Sequence, residues 1–359
     1  MITIDNVKEI HLELTTLCNA RCPLCVRNAN GYPHNFGYPE TSLSLEQVKQ
    51  IFPVDFIRQL RLIDFCGNFG DFIMAPDAVE IVEYFRSVNP STRITINTNG
   101  SARDREFWTR IGQCNVEIIF DLDGLEDTHA MYRVDTNWQN IIRNAQTAMS
   151  NGSSAVWKMI KFQHNLHQID ACRDMAKILG FYRFDLTDHG RDYGPAFDRH
   201  GNMTHILGIV DDRNGPRTID QIIQWKDHTT PRLPPEEKET LDCYSNRSET
   251  IFIAANGEVY PCCYLGAFPR TFMDGPWYDL VHTQLKTIVD HVNNNALEIG
   301  IEAATEWFNQ IEERWKIEKY KDGRLILCDS HCGRKYQHWE RQVLNTVLNN
   351  KEISNGTVD

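Results

Sequence analysis

The chain has 359 residues, with 37 lysines and arginines against 49 aspartates and glutamates, and a formal net charge of −12. That acidic balance excludes a basic nucleic-acid clamp as the default reading, and 41% apolar with 24% charged residues excludes a disordered or fibrous chain. The length leaves room for two units, or for one large α/β unit with an appendage.

The N-terminal stretch MITIDNVKEIHLEL alternates and carries acids where a secretory signal would have a basic segment and an apolar block. No run of about 18 apolar residues reads as a membrane span, so a cytoplasmic protein without membrane contact is expected. Short β-rich runs then alternate with helical patterns up to about residue 187. The predicted strands are 9–15, 61–66, 93–98, 115–121, 155–162 and 182–187. Ser44 and Gln47 form a capping-box start for a helix to about residue 60, and Pro76 opens another. Asn137 caps a third that ends before Gly152; a fourth runs from near His167 to Leu179, with Gly180 as its C-terminal cap. Six βα units are too few for a closed eight-fold barrel. The expected fold is therefore α/β, a partial (β/α)6 TIM-like barrel over 1–190.

Glycine and proline punctuate 188–240, so 191–240 reads as a connecting region. Asn256-Gly257 predicts a hairpin over 251–261. Helical patterns follow at 277–295, 303–317 and 333–349. A C-terminal unit over 241–340 is expected, then a helix end and frayed tail over 341–359.

The eleven cysteines are unevenly spread. Cys18, Cys22 and Cys25 leave the end of the first predicted strand in one tight loop. Three thiolates cannot close a tetrahedral zinc site alone, but they can hold three irons of a cubane and leave the fourth open. Zinc completed by a remote ligand such as His34, or incidental cysteines, are the alternatives. Cys243, Cys262, Cys263, Cys328 and Cys332 crowd the last third, where a four-cysteine zinc knuckle competes with a cluster. Cys66, Cys114 and Cys172 read as buried small hydrophobes, with Cys66 near enough to the expected site to serve as a hydrogen donor.

The C-x3-C-x2-C spacing just past the first strand resembles the radical S-adenosylmethionine (radical SAM) superfamily. The resemblance implies a [4Fe–4S] cluster on Cys18, Cys22 and Cys25 whose open iron chelates SAM, reductive cleavage of SAM to a 5′-deoxyadenosyl radical, and hydrogen abstraction from substrate. It also implies a reductant such as flavodoxin or ferredoxin. The segment Cys66-Gly67-Asn68-Phe69-Gly70-Asp71 looks like a variant of the family's Gly-Gly-Glu stretch; Gly67, Asn68 and Gly70 would approach the cofactor, with Asp71 supplying a carboxylate to the SAM ammonium. Asn97 and Asn99 fall in a Thr-Asn-Gly segment near the ribose, and Asp121 and Arg133 match residues near the ribose and the SAM carboxylate. All of these lie at strand C-termini, where parallel βα architectures place active sites.

The pattern C-x13-G-x4-C followed by a close pair resembles the twitch domain, a shortened relative of the SPASM domain. It implies one auxiliary [4Fe–4S] cluster on Cys243, Cys262, Cys328 and Cys332, with Cys263 facing away. Candidate substrate residues are Lys158, Lys161, Gln163, His164, Asp188, His189, Arg191 and Tyr193, with His164, Asp188, Arg191 and Tyr193 as catalytic candidates. The expected activity is an oxidoreductase or maturase acting on a peptide or small molecule, by net oxidation, cross-linking or epimerisation, with no nucleic acid as partner. The runner-up is a non-catalytic protein that uses zinc or iron–sulfur sites for structure or sensing.

Overall fold

The computed structural model describes residues 2–28, 39–187, 194–208, 241–268 and 276–332. Six parallel strands alternate with helices: β1 (Glu9–Leu12), β2 (Leu62–Phe65), β3 (Arg93–Thr98), β4 (Glu117–Asp121), β5 (Ser154–Ile160) and β6 (Arg183–Thr187). The period-2 alternation explains their placement. Ile10, Leu12, Ile63, Phe65, Ile94, Ile96, Ile118 and Phe120 are at most 1% exposed and join the helices in the main core. The opposite face is polar, and register pairs His11 with Asp64, Asp64 with Thr95, and Asp121 with Lys158 across neighbouring strands.

Two more strands, β9 (Thr250–Ile253) and β10 (Val259–Tyr260), follow the two-stranded ribbon of β7 (Gly194–Phe197) and β8 (Met203–Leu207) in the chain. The predicted Asn256-Gly257 hairpin joins β9 to β10, and Gly257 takes a φ of +87°, where only glycine is unstrained. The hairpin extends the barrel sheet: β9 pairs in parallel with β1, Glu9 opposite Thr250 and Leu12 opposite Ile253. The strand order is β10-β9-β1-β2-β3-β4-β5-β6. Among the described residues β10 and β6 do not pair, so the sheet is open, as expected of a partial barrel.

Local signals placed most helices. The capping box is formed by Ser44 and Gln47, Asn137 caps Trp138–Ser150, and Gly180 ends Ile169–Leu179 at a φ of +89°. The single helix expected from Ser44 to about residue 60 is instead two, Leu45–Ile51 and Val54–Gln59. Pro53 lacks an amide donor and pushes Phe52 into extended geometry (φ −112°, ψ 96°), which breaks the run. The β7–β8 ribbon also lies where the sequence suggested only a connection. In the C-terminal part the described α-helices are Tyr244–Ser248, Cys263–Ala267, Pro276–Val289, Ala296–Ile299, Phe308–Trp315 and Ile326–Cys332. The helix expected over 333–349 and the tail lie outside the described residues. No described helix is long and apolar enough to cross a membrane.

Candidate active site

The cysteine loop leaves β1 and is fixed from several sides. Asn99 Nδ2 donates to Asn19 Oδ1 (2.9 Å), and Asn19 Nδ2 donates to Ser101 Oγ (2.9 Å), tying the loop to the end of β3. The Arg21 amide donates to the Val134 carbonyl (2.9 Å), and its side chain pairs with Asp135 at 2.5 Å. Cys22 is buried; Cys18 and Cys25 are half-buried. All three pack with Ala20 and Leu24 against Tyr132, Ile160, Phe162, Ala196 and Leu207, so one wall of the loop is apolar. Burial pushes the Cys18 thiol up, and the charges of Asp71, Cys22 and Cys25 add to this. A coordinating metal reverses that preference, since a bound thiol is deprotonated outright.

The segment after β2 wraps beneath this loop. Glu13, 1% exposed, accepts the amides of Phe69 (2.6 Å) and Gly70 (3.2 Å). The Asp71 amide donates to the Leu17 carbonyl (2.8 Å), next to Cys18. Gly70 lies so close that a Cβ would come within 1.7 Å of the Thr15 carbonyl oxygen, backbone that cannot swing away. Gly70→Ala is expected to destabilise the chain by about 3 kcal/mol through overpacking. A thermal melt checks this; an unchanged midpoint would show that the Thr15–Leu17 backbone can move aside.

Asp71 is buried, and its carboxylate accepts from Thr98 Oγ1 (2.7 Å), the Asn99 amide (2.7 Å), Asn99 Nδ2 (2.6 Å) and the Ile73 amide (3.2 Å). Burial raises its pKa, against the pull of those donors. The carboxylate expected to meet an ammonium is thus already coordinated by protein groups and clamps Asn99 in place. Asn97 Nδ2 donates to Asp64 Oδ1 (3.0 Å), and Asn68 Nδ2 donates to the Cys263 carbonyl (3.0 Å).

Arg133 is set by a partner the sequence reading missed. Its Nε donates to the fully buried Asp123 at 2.6 Å, and its Nη2 lies 3.3 Å from Asp121. Asp123 also accepts the Ile160 amide (2.6 Å). Burial pushes the Asp123 carboxyl up, opposed by the charge of Arg133. His129, held neutral by burial with a pKa lowered to about 3, accepts the Asp123 amide at Nδ1 (3.1 Å). Its Nε2–H therefore donates to Thr136 Oγ1 (3.0 Å), which donates to the Arg133 carbonyl (2.6 Å). Lys158 pairs with Asp121 at 3.6 Å, and that charge raises its pKa. Asp123 stands two residues past Asp121 in an Asp-Leu-Asp-Gly run, and that repetition was the available signal.

The second cysteine group forms around the C-terminal helices. Cys243 and Cys262 stand just before Tyr244–Ser248 and Cys263–Ala267, while Cys328 and Cys332 are four apart on Ile326–Cys332 and share a face. The Cys243 thiol hydrogen-bonds Cys332 and so lowers the Cys332 thiol, and Cys262 is close enough to Cys243 and Cys328 to raise both. Cys263 lies near enough to Cys66 and Asp64, and to Cys262, to feel or exert their charge effects. All four, with Cys66 and Cys263, line one cavity of about 330 Å³ that also reaches His11, Asp64, Asn97 and Lys158.

Of the substrate candidates, His164 stacks on Phe162 (5.4 Å, 13°), and its buried Nε2 has no hydrogen-bond partner among the described residues. Burial lowers its pKa to about 4, so the ring is neutral. The Lys161 and Gln163 amides pair with the carbonyls of Thr187 and Gly208. Asp188, His189, Arg191 and Tyr193, like His34, lie outside the described residues.

The Radical SAM superfamily model matches residues 12–168. Among solved structures, S-adenosylmethionine-bound SuiB of Streptococcus suis is similar at 12% identity and a TM-score of 0.51, over 76% of this chain and 65% of that one. Polyhistidine-tagged anSMEcpe with bound AdoMet is similar at 12% identity and a TM-score of 0.52, over 98% of this chain and 96% of that one. This chain thus spans just under two thirds of the SuiB chain, and at such identity the likeness is one of fold. A search of curated sequences finds no match. With three cysteines at the end of β1, an open parallel α/β sheet and the family match, residues 12–168 are a radical SAM superfamily domain.

Proposed function

We propose that this chain is a radical SAM enzyme that cleaves SAM reductively and abstracts hydrogen from a peptide or small molecule in the cavity beneath the sheet's polar face. The observation that carries this reading is the convergence, at the C-terminal ends of β1 to β4, of Cys18, Cys22 and Cys25 with the Asp71–Asn99 clamp and the Arg133–Asp123 pair.

The donor set fits the cluster. Three cysteines share one loop, yet among the described residues they do not bring three donors within 4.8 Å of one another. A single zinc with bonds of about 2.3 Å needs a tighter set, whereas a cubane spreads its ligands. When bound, the cluster and SAM supply the electron and the 5′-deoxyadenosyl radical. The protein's own residues do the rest. Cys18, Cys22 and Cys25 hold three irons, and the apolar wall of Tyr132, Ile160 and Phe162 keeps water from that side. Gly67, Asn68 and Gly70 bring backbone close, Asn97 lines the cavity, Asn99 holds the cysteine loop through Asn19, and Asp121 with Arg133 offers a preset charge pair for a zwitterionic amino acid end. Asp71 acts here by holding Asn99 and the Leu17 carbonyl, beside the first ligand.

Cys243, Cys262, Cys328 and Cys332 hold a fully ligated auxiliary cluster in this reading, in a twitch-type unit over 241–340 that follows the 1–190 barrel and the 191–240 connection. Four thiolates would leave no iron for substrate, so the group they hold would serve electron transfer in a net oxidation or keep the substrate pocket rigid. A flavodoxin or ferredoxin supplies the first electron. Anaerobically reconstituted protein is expected to be brown, hold about eight irons, and release 5′-deoxyadenosine when given SAM and a strong reductant. Colourless, zinc-loaded protein that leaves SAM intact would overturn the proposal in favour of a structural or sensing metal protein.

A further inference from the structure

We propose that His11, Asp64 and Cys66 form a site for one divalent cation of the zinc class, separate from both cysteine groups above. A ring nitrogen of His11, a carboxylate oxygen of Asp64 and Cys66 Sγ lie within 4.8 Å of one another, and among the described residues no other three such donors do. Zinc ligands at about 2.0 to 2.3 Å in a tetrahedron stand about 3.3 to 3.8 Å apart. The three therefore need to close by only about 1 Å to seat an ion.

Two of the three donors are held in place by protein groups. His11 Nε2 is 2.5 Å from the Cys66 carbonyl. That oxygen only accepts, so Nε2 carries the proton and Nδ1 keeps the lone pair. A ligating imidazole is typically fixed by such a bond from its far nitrogen. The ring is further held edge-on to Phe252 (4.9 Å, 84°). Asp64 Oδ1 accepts from Thr95 Oγ1 (2.5 Å) and Asn97 Nδ2 (3.0 Å), while among the described residues Oδ2 carries no hydrogen bond.

A three-ligand site keeps its fourth corner open, and the cavity wall near Cys66 includes Cys263. That residue follows Cys262 at the start of Cys263–Ala267, its carbonyl accepts from Asn68 two residues past Cys66, and it lines the same cavity as the other three. Its thiol is raised by burial and by the nearby charges of Cys66 and Asp64. A soft sulfur, an imidazole and a carboxylate suit zinc over magnesium or calcium. Binding releases the Cys66 thiol proton to solvent, and two ligand anions balance the dication. Lys158 is the cation near Cys66, and its ammonium stays on Asp121, 3.6 Å away.

The test uses the full chain after anaerobic filling of its iron sites, followed by zinc or cobalt and desalting. Wild type is expected to retain about one zinc per chain beyond its iron, and cobalt to give a thiolate-to-cobalt charge-transfer band. Cys66→Ser and Asp64→Asn are each expected to weaken zinc binding at least about tenfold with iron content unchanged. Asp64→Asn keeps an oxygen for Thr95 and Asn97, so it guards against a loss that is merely one of folding. No retained zinc in wild type, or equal affinity in both variants, would overturn the site. Iron content and SAM cleavage are read separately, so either conclusion can fail alone.

Discussion

Cys18→Ala is expected to leave SAM uncleaved, with 5′-deoxyadenosine no higher than in protein-free controls. The argument separates loss of a ligand from loss of the fold. The loop that carries Cys18 is held by Asn99 on Asn19, by Arg21 on Val134 and Asp135, and by Asp71 on Leu17, none of which uses the thiol. The variant therefore keeps its loop and lacks one of three irons' anchors, which a cubane with an already open corner does not tolerate. Cys328→Ala makes the contrast. It removes a ligand from the other group, so substrate turnover should fall while some uncoupled SAM cleavage persists, with iron dropping from about eight to about four per chain. Iron analysis and chromatography of the nucleoside product read both. Normal turnover in the two variants would refute the assignment of both cysteine groups.

What the sequence made legible was local. Ser44 with Gln47, Asn137, Gly180 and Asn256-Gly257 each carry their geometry within four residues, and each forms the cap or turn read from it. Pro53 lacks the donor that a continuous helix needs, so two helices form where one was expected. The pairing of β9 with β1 joins residues about 240 apart, and nothing in either strand's own pattern names the other. The site divides in the same way. The cysteine spacing and the glycine-rich turn stand in the sequence, whereas Glu13 and Asp123 matter through backbone amides that only the sheet's register brings to them. Asp71 was read as a carboxylate awaiting a ligand because its type and place fit. Its four protein donors come from β3 and from its own turn, and become visible only when those ends meet.

Asp329→Ala is expected to cost about 3 to 5 kcal/mol of stability, the usual loss when one member of a buried ion pair is removed. Arg324 and Asp329 are each 1% exposed, and the guanidinium meets the carboxylate in a two-point contact, Nε to Oδ2 at 2.6 Å and Nη2 to Oδ1 at 2.7 Å. Its remaining nitrogen donates to the carbonyls of Trp315 and Ile317 (3.1 Å to the latter), so it cannot leave for solvent without breaking the end of Phe308–Trp315 as well. Alanine at 329 strands that cation in an apolar site, and because Asp329 follows Cys328 directly, the slack passes to the helix that presents Cys328 and Cys332. Denaturant unfolding should therefore shift to lower midpoint, and iron should be lost faster on dilution than in wild type. The double variant Arg324→Leu with Asp329→Leu should recover most of the stability, since an apolar pair of similar bulk replaces a buried ion pair at little cost. A single variant within about 0.5 kcal/mol of wild type would mean the pair is solvated in solution; a double variant no better than the single would mean that Arg324 is needed for the Trp315 and Ile317 carbonyls more than for Asp329.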